Sequence, residues 1–357
     1  MNCVELFAGA GGAALGLEAA GISHLACVEL DPDACKTLRA ADLPCVEGDV
    51  RDPDLYESHW VGCGLLWASF PCQAWSTAGK RKGAQDERNG WPWTVDAIDC
   101  LEPTWFAAEN VVGLLNHKGA CKQGKHCVGL PECPNAYFHQ VIIKQLEERF
   151  AWVGYKILNA ADFGVPQKRR RIIIVAGPKP IAWPSKTHAD PSKKGDLFSS
   201  SLSAWSTVGD ALSIDGRVIG GGRNPQSSDL AHKRNYRDLT DEPCTTIPAS
   251  QIGNAGPWLI AGSEPWRLDE PSPCVLATEV KGARHQGNAT PSRTPQRASD
   301  ALFRATGRRR LTIDECAILQ DFPRGHQFHG TKKSQYMQVG NAVPPKMSEV
   351  IGKAIVE

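Results

Sequence analysis

The chain has 357 residues, 41% hydrophobic and 22% charged, a composition that excludes wholesale disorder and leaves room for more than one core. Its longest clean apolar run, Ile172 to Ala176, is far too short for a bilayer span. The N-terminus lacks the basic start of a secretory leader, so a cytoplasmic setting with reduced thiols is expected for its 13 cysteines. The net charge of +1 hides an asymmetry, because residues 1–60 hold 11 acids against 3 bases and the remainder holds 28 against 37. An acidic start suits the hydroxyls of a nucleoside, and a basic remainder suits a polyanion.

In chain order, Asn2 to Phe7 reads as a short strand containing Glu5. The glycine-rich turn Ala8-Gly9-Ala10-Gly11-Gly12 leads to a helix over Ala13–Ala20 that stops at Gly21. His24–Glu29 is a second strand, and Asp31-Pro32 supplies a cap and a first-turn proline for the next helix. Strands follow at Pro44–Val46, Leu65–Phe70 and Trp105–Glu109. The apolar spacing over His139–Phe150 predicts a helix, and Tyr155–Leu158 and Ile172–Val175 predict two more strands. This alternation predicts an α/β sheet with helices on both faces. Past about Pro184 the texture becomes rich in Ser, Gly and Pro, and helical periodicity fades. Order returns at Leu311, where Thr312 and Glu315 have capping-box spacing, and Pro345–Val356 predicts a last helix.

Several strand ends carry chemistry. Glycines after a first strand allow close approach of a ligand at a helix N-terminus. Glu29, twenty residues after Gly9, is placed to accept hydrogen bonds from ribose hydroxyls, and Asp49 ends the third strand at the same edge. The turn lacks the pattern of a pyrophosphate-binding loop, which disfavours a nicotinamide cofactor. Pro71-Cys72 follows the fourth strand, where a thiolate would face the same crevice. Lys80, Arg81 and Lys82 come next in a polar, basic segment. Cys121, Cys127 and Cys133, with His117 and His126, form an insertion whose spacing lacks the paired cysteines of common zinc sites; no residue is assigned to a metal.

Taken in order, Phe7-Ala8-Gly9-Ala10-Gly11-Gly12, Glu29, Asp49, Pro71-Cys72-Gln73, Glu109-Asn110-Val111, Gln167-x-Arg169-x-Arg171, Arg310 to Pro323 and Gln338 to Pro345 resemble the DNA (cytosine-5) methyltransferases of bacteria and phages. The chain departs from the family pattern at Phe70 (usually Pro), Trp75 (usually Phe) and Asp321 (commonly Gly). The resemblance implies a Rossmann-like class I methyltransferase fold, a mixed sheet flanked by helices, with a smaller loop- and strand-rich target-recognition domain. It implies a catalytic domain at 1–185, target recognition at 186–325 and a returning segment at 326–357. The cofactor implied is S-adenosyl-L-methionine, leaving as S-adenosyl-L-homocysteine. Phe7, Ala8, Gly9, Gly11, Glu29, Leu30, Asp49, Val50, Pro71, Asn341 and Ala342 are the implied cofactor-binding residues. Cys72 is the implied nucleophile, with Glu109, Arg169 and Arg171 as catalytic partners around a cytosine flipped out of double-stranded DNA.

The resemblance also implies a monomer that acts on DNA and touches no membrane, and it leaves room for a cognate restriction endonuclease. The region 186–307 matches nothing nameable, so its arginines, Arg223, Arg234, Arg237, Arg284 and Arg293 among them, carry no base assignments. A tRNA cytosine-5 methyltransferase and a catalytically silent DNA-binding relative stay open as alternatives.

Overall fold

A computed structural model describes residues 1–56, 58–71, 89–115, 137–191, 202–212 and 308–357, together with short stretches at 217–220, 237–238, 243–245 and 258–260. Cys72, Gln73, Trp75, the basic triplet 80–82, the cysteine-bearing insertion and most of 186–307 lie outside the described residues.

Eight strands matter most for the site. They are β1 (Asn2–Leu6), β2 (Ser23–Glu29), β3 (Cys45–Glu47), β4 (Leu65–Ala68), β5 (Trp105–Val111), β6 (Trp152–Asn159), β7 (Gln167–Lys168) and β8 (Arg170–Gly177). All but β7 form one seven-stranded sheet in the order β3-β2-β1-β4-β5-β8-β6. The strands β1 to β5 pair in parallel, and β8 runs antiparallel to both β5 and β6. The strand order reverses between β1 and β4, which opens a crevice beyond their carboxyl ends, the usual place for a ligand in a doubly wound sheet. Ile172 to Val175 are wholly buried, which is why β8 reads as an unbroken apolar run rather than an alternating one.

The helices are α1 (Gly12–Ala19), α2 (Pro32–Ala40), α3 (Trp91–Leu101), α4 (Lys144–Glu147), α5 (Val208–Leu212), α6 (Ile313–Leu319), α7 (Lys332–Asn341) and α8 (Pro345–Val356). A π-helical stretch, Tyr137–Ile143, runs into α4, so this helix is less regular than its apolar spacing predicts. One sheet face packs Leu6, Val28, Phe106 and Ile174 against Trp91 and Ile98 of α3 and Phe138. The other packs Cys3, Trp67, Trp105 and Val175 against Leu17 of α1 and Met347 and Ile351 of α8. Helices thus cover both faces, as the alternation predicts.

Local signals explain several boundaries. Asp31 accepts from the N–H groups of Asp33 and Ala34 at 2.8 and 3.1 Å and caps α2. Thr312 and Glu315 make both bonds of a capping box at the start of α6. Gly21 ends α1 in the left-handed region, at φ 82°.

Helix α1 crosses α8 at backbone contact. A methyl group on Gly16 would lie 1.9 Å from the Pro345 carbonyl oxygen and 2.1 Å from Ser348 Oγ, and one on Gly12 would lie 2.2 Å from the Val343 oxygen. Those two glycines therefore bring the final motif against the first. Thr37 Oγ1 of α2 donates to Gln338 Oε1 at 2.7 Å and accepts from the His329 N–H at 2.9 Å, a second tie between the chain's two ends. Asp321 occupies a left-handed position (φ 71°) where glycine is common, and its carboxylate accepts from the Lys346 N–H at 2.8 Å in the first turn of α8. Burial pushes the Asp321 carboxyl up to about 6. The departure from glycine is thus accommodated by a side-chain cap.

Candidate active site

The crevice is built from strand ends. After β1 the backbone turns sharply, with Phe7, Gly9 and Gly11 at φ 57°, 57° and 80°. Glu29, at the end of β2, holds that turn. One carboxylate oxygen accepts from the Gly9 N–H at 2.7 Å, and the other accepts from Leu30 and Asp31 N–H groups at 2.9 and 2.8 Å. Among the described residues, nothing lies within 4 Å of the position a Gly9 side chain would take, so none of them fills the space in front of the turn. Leu30 is 60% exposed beside it. Asp49 is clamped by Arg51, whose Nε and Nη2 donate to both carboxylate oxygens, and these bonds hold the Asp49 carboxyl below its usual range. Arg51 in turn lies over the Trp93 ring at 5.3 Å. Val50 is buried, and its carbonyl accepts from the Tyr56 hydroxyl at 2.7 Å.

Strand β4 runs out through Phe70 to Pro71, the last described residue before Cys72. Asn110 Nδ2 of β5 donates to the Phe70 carbonyl at 3.2 Å and fixes this exit beside Glu109. The family's usual proline is replaced by Phe70, whose ring packs edge-on against Trp91 with centroids 5.6 Å apart. A side chain on Gly90 would meet Pro71 Cδ at 2.7 Å and the Phe7 ring at 3.3 Å, so the start of α3 closes that wall of the crevice. Helix α3 is not among the predicted elements, although its apolar positions 91, 95, 98 and 101 have helical spacing.

Glu109 is 7% exposed, and its Oε1 lies 2.7 Å from Arg171 Nε, a nearly buried pair. The contact is a charge pair without hydrogen-bond alignment, so Oε1 has no hydrogen-bond partner among the described residues. A buried carboxylate oxygen with spare acceptor capacity suits an incoming N–H group. Arg171 also donates through Nη1 to the Arg170 carbonyl at 2.9 Å, which aims its guanidinium.

Arg169 is expected from sequence to share this task. Its side chain is 1% exposed and donates to the carbonyls of Gly340, Asn341 and Ala342 at 3.1, 3.4 and 2.9 Å. It therefore holds the final motif. Gln167 Nε2 donates to Gln320 Oε1 at 2.6 Å, and Gln320 Nε2 donates to the Ala342 carbonyl at 2.6 Å. Three sequence motifs, drawn from residues 167 to 342, thus meet around the Ala342 carbonyl. Gln320 and Asn110 fix these neighbours through buried side-chain amides, a role their place within the motifs does not announce. Asn341 itself is exposed and Ala342 is buried.

Comparison with known proteins accords with this arrangement. The family of C-5 cytosine-specific DNA methylases matches residues 1–357. The chain belongs to that family. Among its relatives, the type II methyltransferase M.NgoMIV of Neisseria gonorrhoeae is 31% identical over 369 residues, covering 99% of this chain and 96% of the relative. M.NaeI of Lentzea aerocolonigenes is 31% identical over 366 residues, 99% of this chain and 74% of its own. A solved structure of a Spodoptera frugiperda DNMT2 mutant shares the fold, with a TM-score of 0.60 at 16% identity over 100% of this chain and 99% of that one. The Dnmt2 methyltransferase of S. pombe gives 0.59 at 15% identity, over 99% and 96%. The protein is a DNA (cytosine-5) methyltransferase, and the mixed sheet is the Rossmann-like fold of such enzymes. Methyltransferases in general draw their methyl group from S-adenosylmethionine.

Proposed function

We propose that this methylase acts on a flipped-out cytosine in a specific double-stranded DNA sequence, with Cys72 as nucleophile and Glu109 as the group that recognises the target base. The observation that carries the reading is the Glu109–Arg171 pair at the edge of β5, beside the segment that leads from β4 to Cys72. Cytosine C5 is a poor nucleophile until C6 is attacked. The Cys72 thiolate forms a bond to C6, and the electron pair of the 5,6 double bond shifts toward C5. C5 takes the methyl group, the C5 proton leaves, and the C6–S bond breaks to restore the double bond and the thiolate. Glu109 accepts from the exocyclic amine and shares a proton with N3, which balances the charge that builds on the ring. Arg171 holds Glu109 in place and reaches toward the O2 side.

The donor supplies an electrophilic methyl sulfonium. Its pocket would be formed by Phe7 and Leu30 about the adenine, Ala8, Gly9 and Gly11 at the turn, Glu29 at the ribose and Asp49 and Val50 at the adenine edge. Pro71, Asn341 and Ala342 would close it, and S-adenosyl-L-homocysteine would leave from it. Three observations support the fit: the space at Gly9 that no described residue fills, the exposed Leu30 and the carboxylates of Glu29 and Asp49 at adjacent strand ends. Extrusion of the base costs a few kcal/mol of stacking and pairing, which basic phosphate contacts offset. Segments 1–185 and 326–357 would form the catalytic domain, and 186–325 would read the sequence. The enzyme would work as a monomer on the genome in the cytoplasm, alongside a cognate endonuclease.

Labelled-donor assays on duplex DNA and on tRNA test the substrate directly. Transfer to duplex at a single sequence context, mapped by bisulfite sequencing, is expected. Transfer to tRNA alone would overturn the reading, and so would no transfer to either.

A further inference from the structure

The methyl-transfer site leaves one buried cluster of reactive groups unused. Glu5 lies in the middle of β1 and is 1% exposed, and its register partner on β2 is Cys27, which is wholly buried. His24, near the start of β2, has a fully buried side chain whose Nε2 is 3.4 Å from Glu5 Oε2. One ligating atom from each of the three lies within 4.8 Å of the other two. Among the described residues this is the one such convergence of possible metal ligands. Among the described residues neither Glu5 Oε2 nor either His24 nitrogen makes an aligned hydrogen bond, although Glu5 and Glu18 both form charge pairs with His24. Buried polar atoms are seldom left so, and an ion is one of the few things that satisfies several at once.

We propose that Glu5, His24 and Cys27 bind one divalent ion of the zinc class in the interior beneath β1 and β2. A thiolate, an imidazole and a carboxylate form a donor set of mixed softness that suits zinc. With both acids ionised, their two negative charges neutralise the ion. His24 Nδ1 lies 3.8 Å from Glu18 Oε1 of α1, and Glu18 is 43% exposed. A carboxylate on the second nitrogen is the usual outer partner of a metal-bound histidine. Glu18 also marks the side from which an ion would enter. Strands β1 and β2 end at the Phe7 turn and at Glu29, so the ion would brace the elements that present the donor-binding edge without touching the reaction.

The test uses the full-length protein with Cys121, Cys127 and Cys133 all changed to Ser, so that the insertion cannot contribute thiolates. After chelation and dialysis, zinc or cobalt(II) is added back. We expect one equivalent retained, a thiolate-to-cobalt charge-transfer band, and X-ray absorption showing one sulfur and two or three nitrogen or oxygen neighbours. Adding Cys27→Ser should remove the charge-transfer band and weaken binding at least tenfold. Adding Glu5→Gln, which keeps the shape of the side chain, should weaken binding while leaving the circular-dichroism spectrum intact. Absence of stoichiometric metal would overturn the proposal and leave Glu5 and His24 as a proton-sharing pair. A zinc shell with two or more sulfurs would overturn it too, and that measurement needs no folded variant at position 27.

Discussion

Replacing Arg169 separates a positioning role from a catalytic one. Its guanidinium is buried and donates to three consecutive carbonyls, at 3.1, 3.4 and 2.9 Å. Two of those are well-formed bonds from a charged donor, each contributing about 1.5–3 kcal/mol. Arg169→Leu leaves those carbonyls facing an apolar group, but it also removes the cost of burying a charge. The net loss should be about 3 kcal/mol, read as a lower midpoint in urea unfolding with little change in slope. Because Ala342 and Asn341 hang on this residue, donor affinity measured by calorimetry should fall at least tenfold. Single-turnover chemistry at saturating donor should fall much less. Arg169→Lys should recover stability only in part, since one ammonium cannot span three carbonyls. If Arg169→Leu unfolds at the wild-type midpoint, binds the donor normally and loses only the chemical step, the residue faces the target base and the structural account of it is wrong.

Four further substitutions probe separate links of the argument. Glu109→Gln should lower the rate of methyl transfer by about 10²–10⁴ with donor binding unchanged, measured by rapid quench. Gly16→Ala places a methyl 1.9 Å from the Pro345 oxygen, so overpacking should cost about 1–3 kcal/mol in unfolding experiments. Gly9→Ala meets no described neighbour within 4 Å but sits at φ 57°, so it should cost about 1–2 kcal/mol through backbone strain and weaken donor binding. Asp321 has its carboxyl raised by burial from 3.8 to about 6, so the native state holds its proton more tightly and stability falls as pH rises between those values. Asp321→Asn should therefore be more stable than the parent at pH 7.5, by up to about 3 kcal/mol, and equal to it near pH 4. Chemical unfolding at the two pH values checks this.

Much of the crevice was legible in the residues because its signals are local. The glycine turn, Asp31-Pro32, the Thr312–Glu315 box and the unbroken run Ile172–Val175 each act over a few residues, and each appears where it was expected. Helix α7 left little trace, because Gln338, Val339 and Gly340 are buried among polar neighbours with no apolar stripe. The tie from Arg169 to the final motif left no local trace either, since its spacing from Arg171 suggests only a shared face. Only the folded chain brings the carbonyls of 340–342 within its reach. The convergence of Glu5, His24 and Cys27 was hidden for the same reason, since it depends on the register of β1 against β2.

The most direct test of the central claim is covalent trapping. Duplex DNA in which 5-fluorocytosine replaces the target base should form a denaturation-resistant adduct with the protein in the presence of donor, because fluorine at C5 cannot leave as the proton does. Mass spectrometry should place the crosslink on Cys72, and Cys72→Ala should abolish it while still binding donor. An adduct that persists in Cys72→Ala, or one mapped to another residue, would contradict the account.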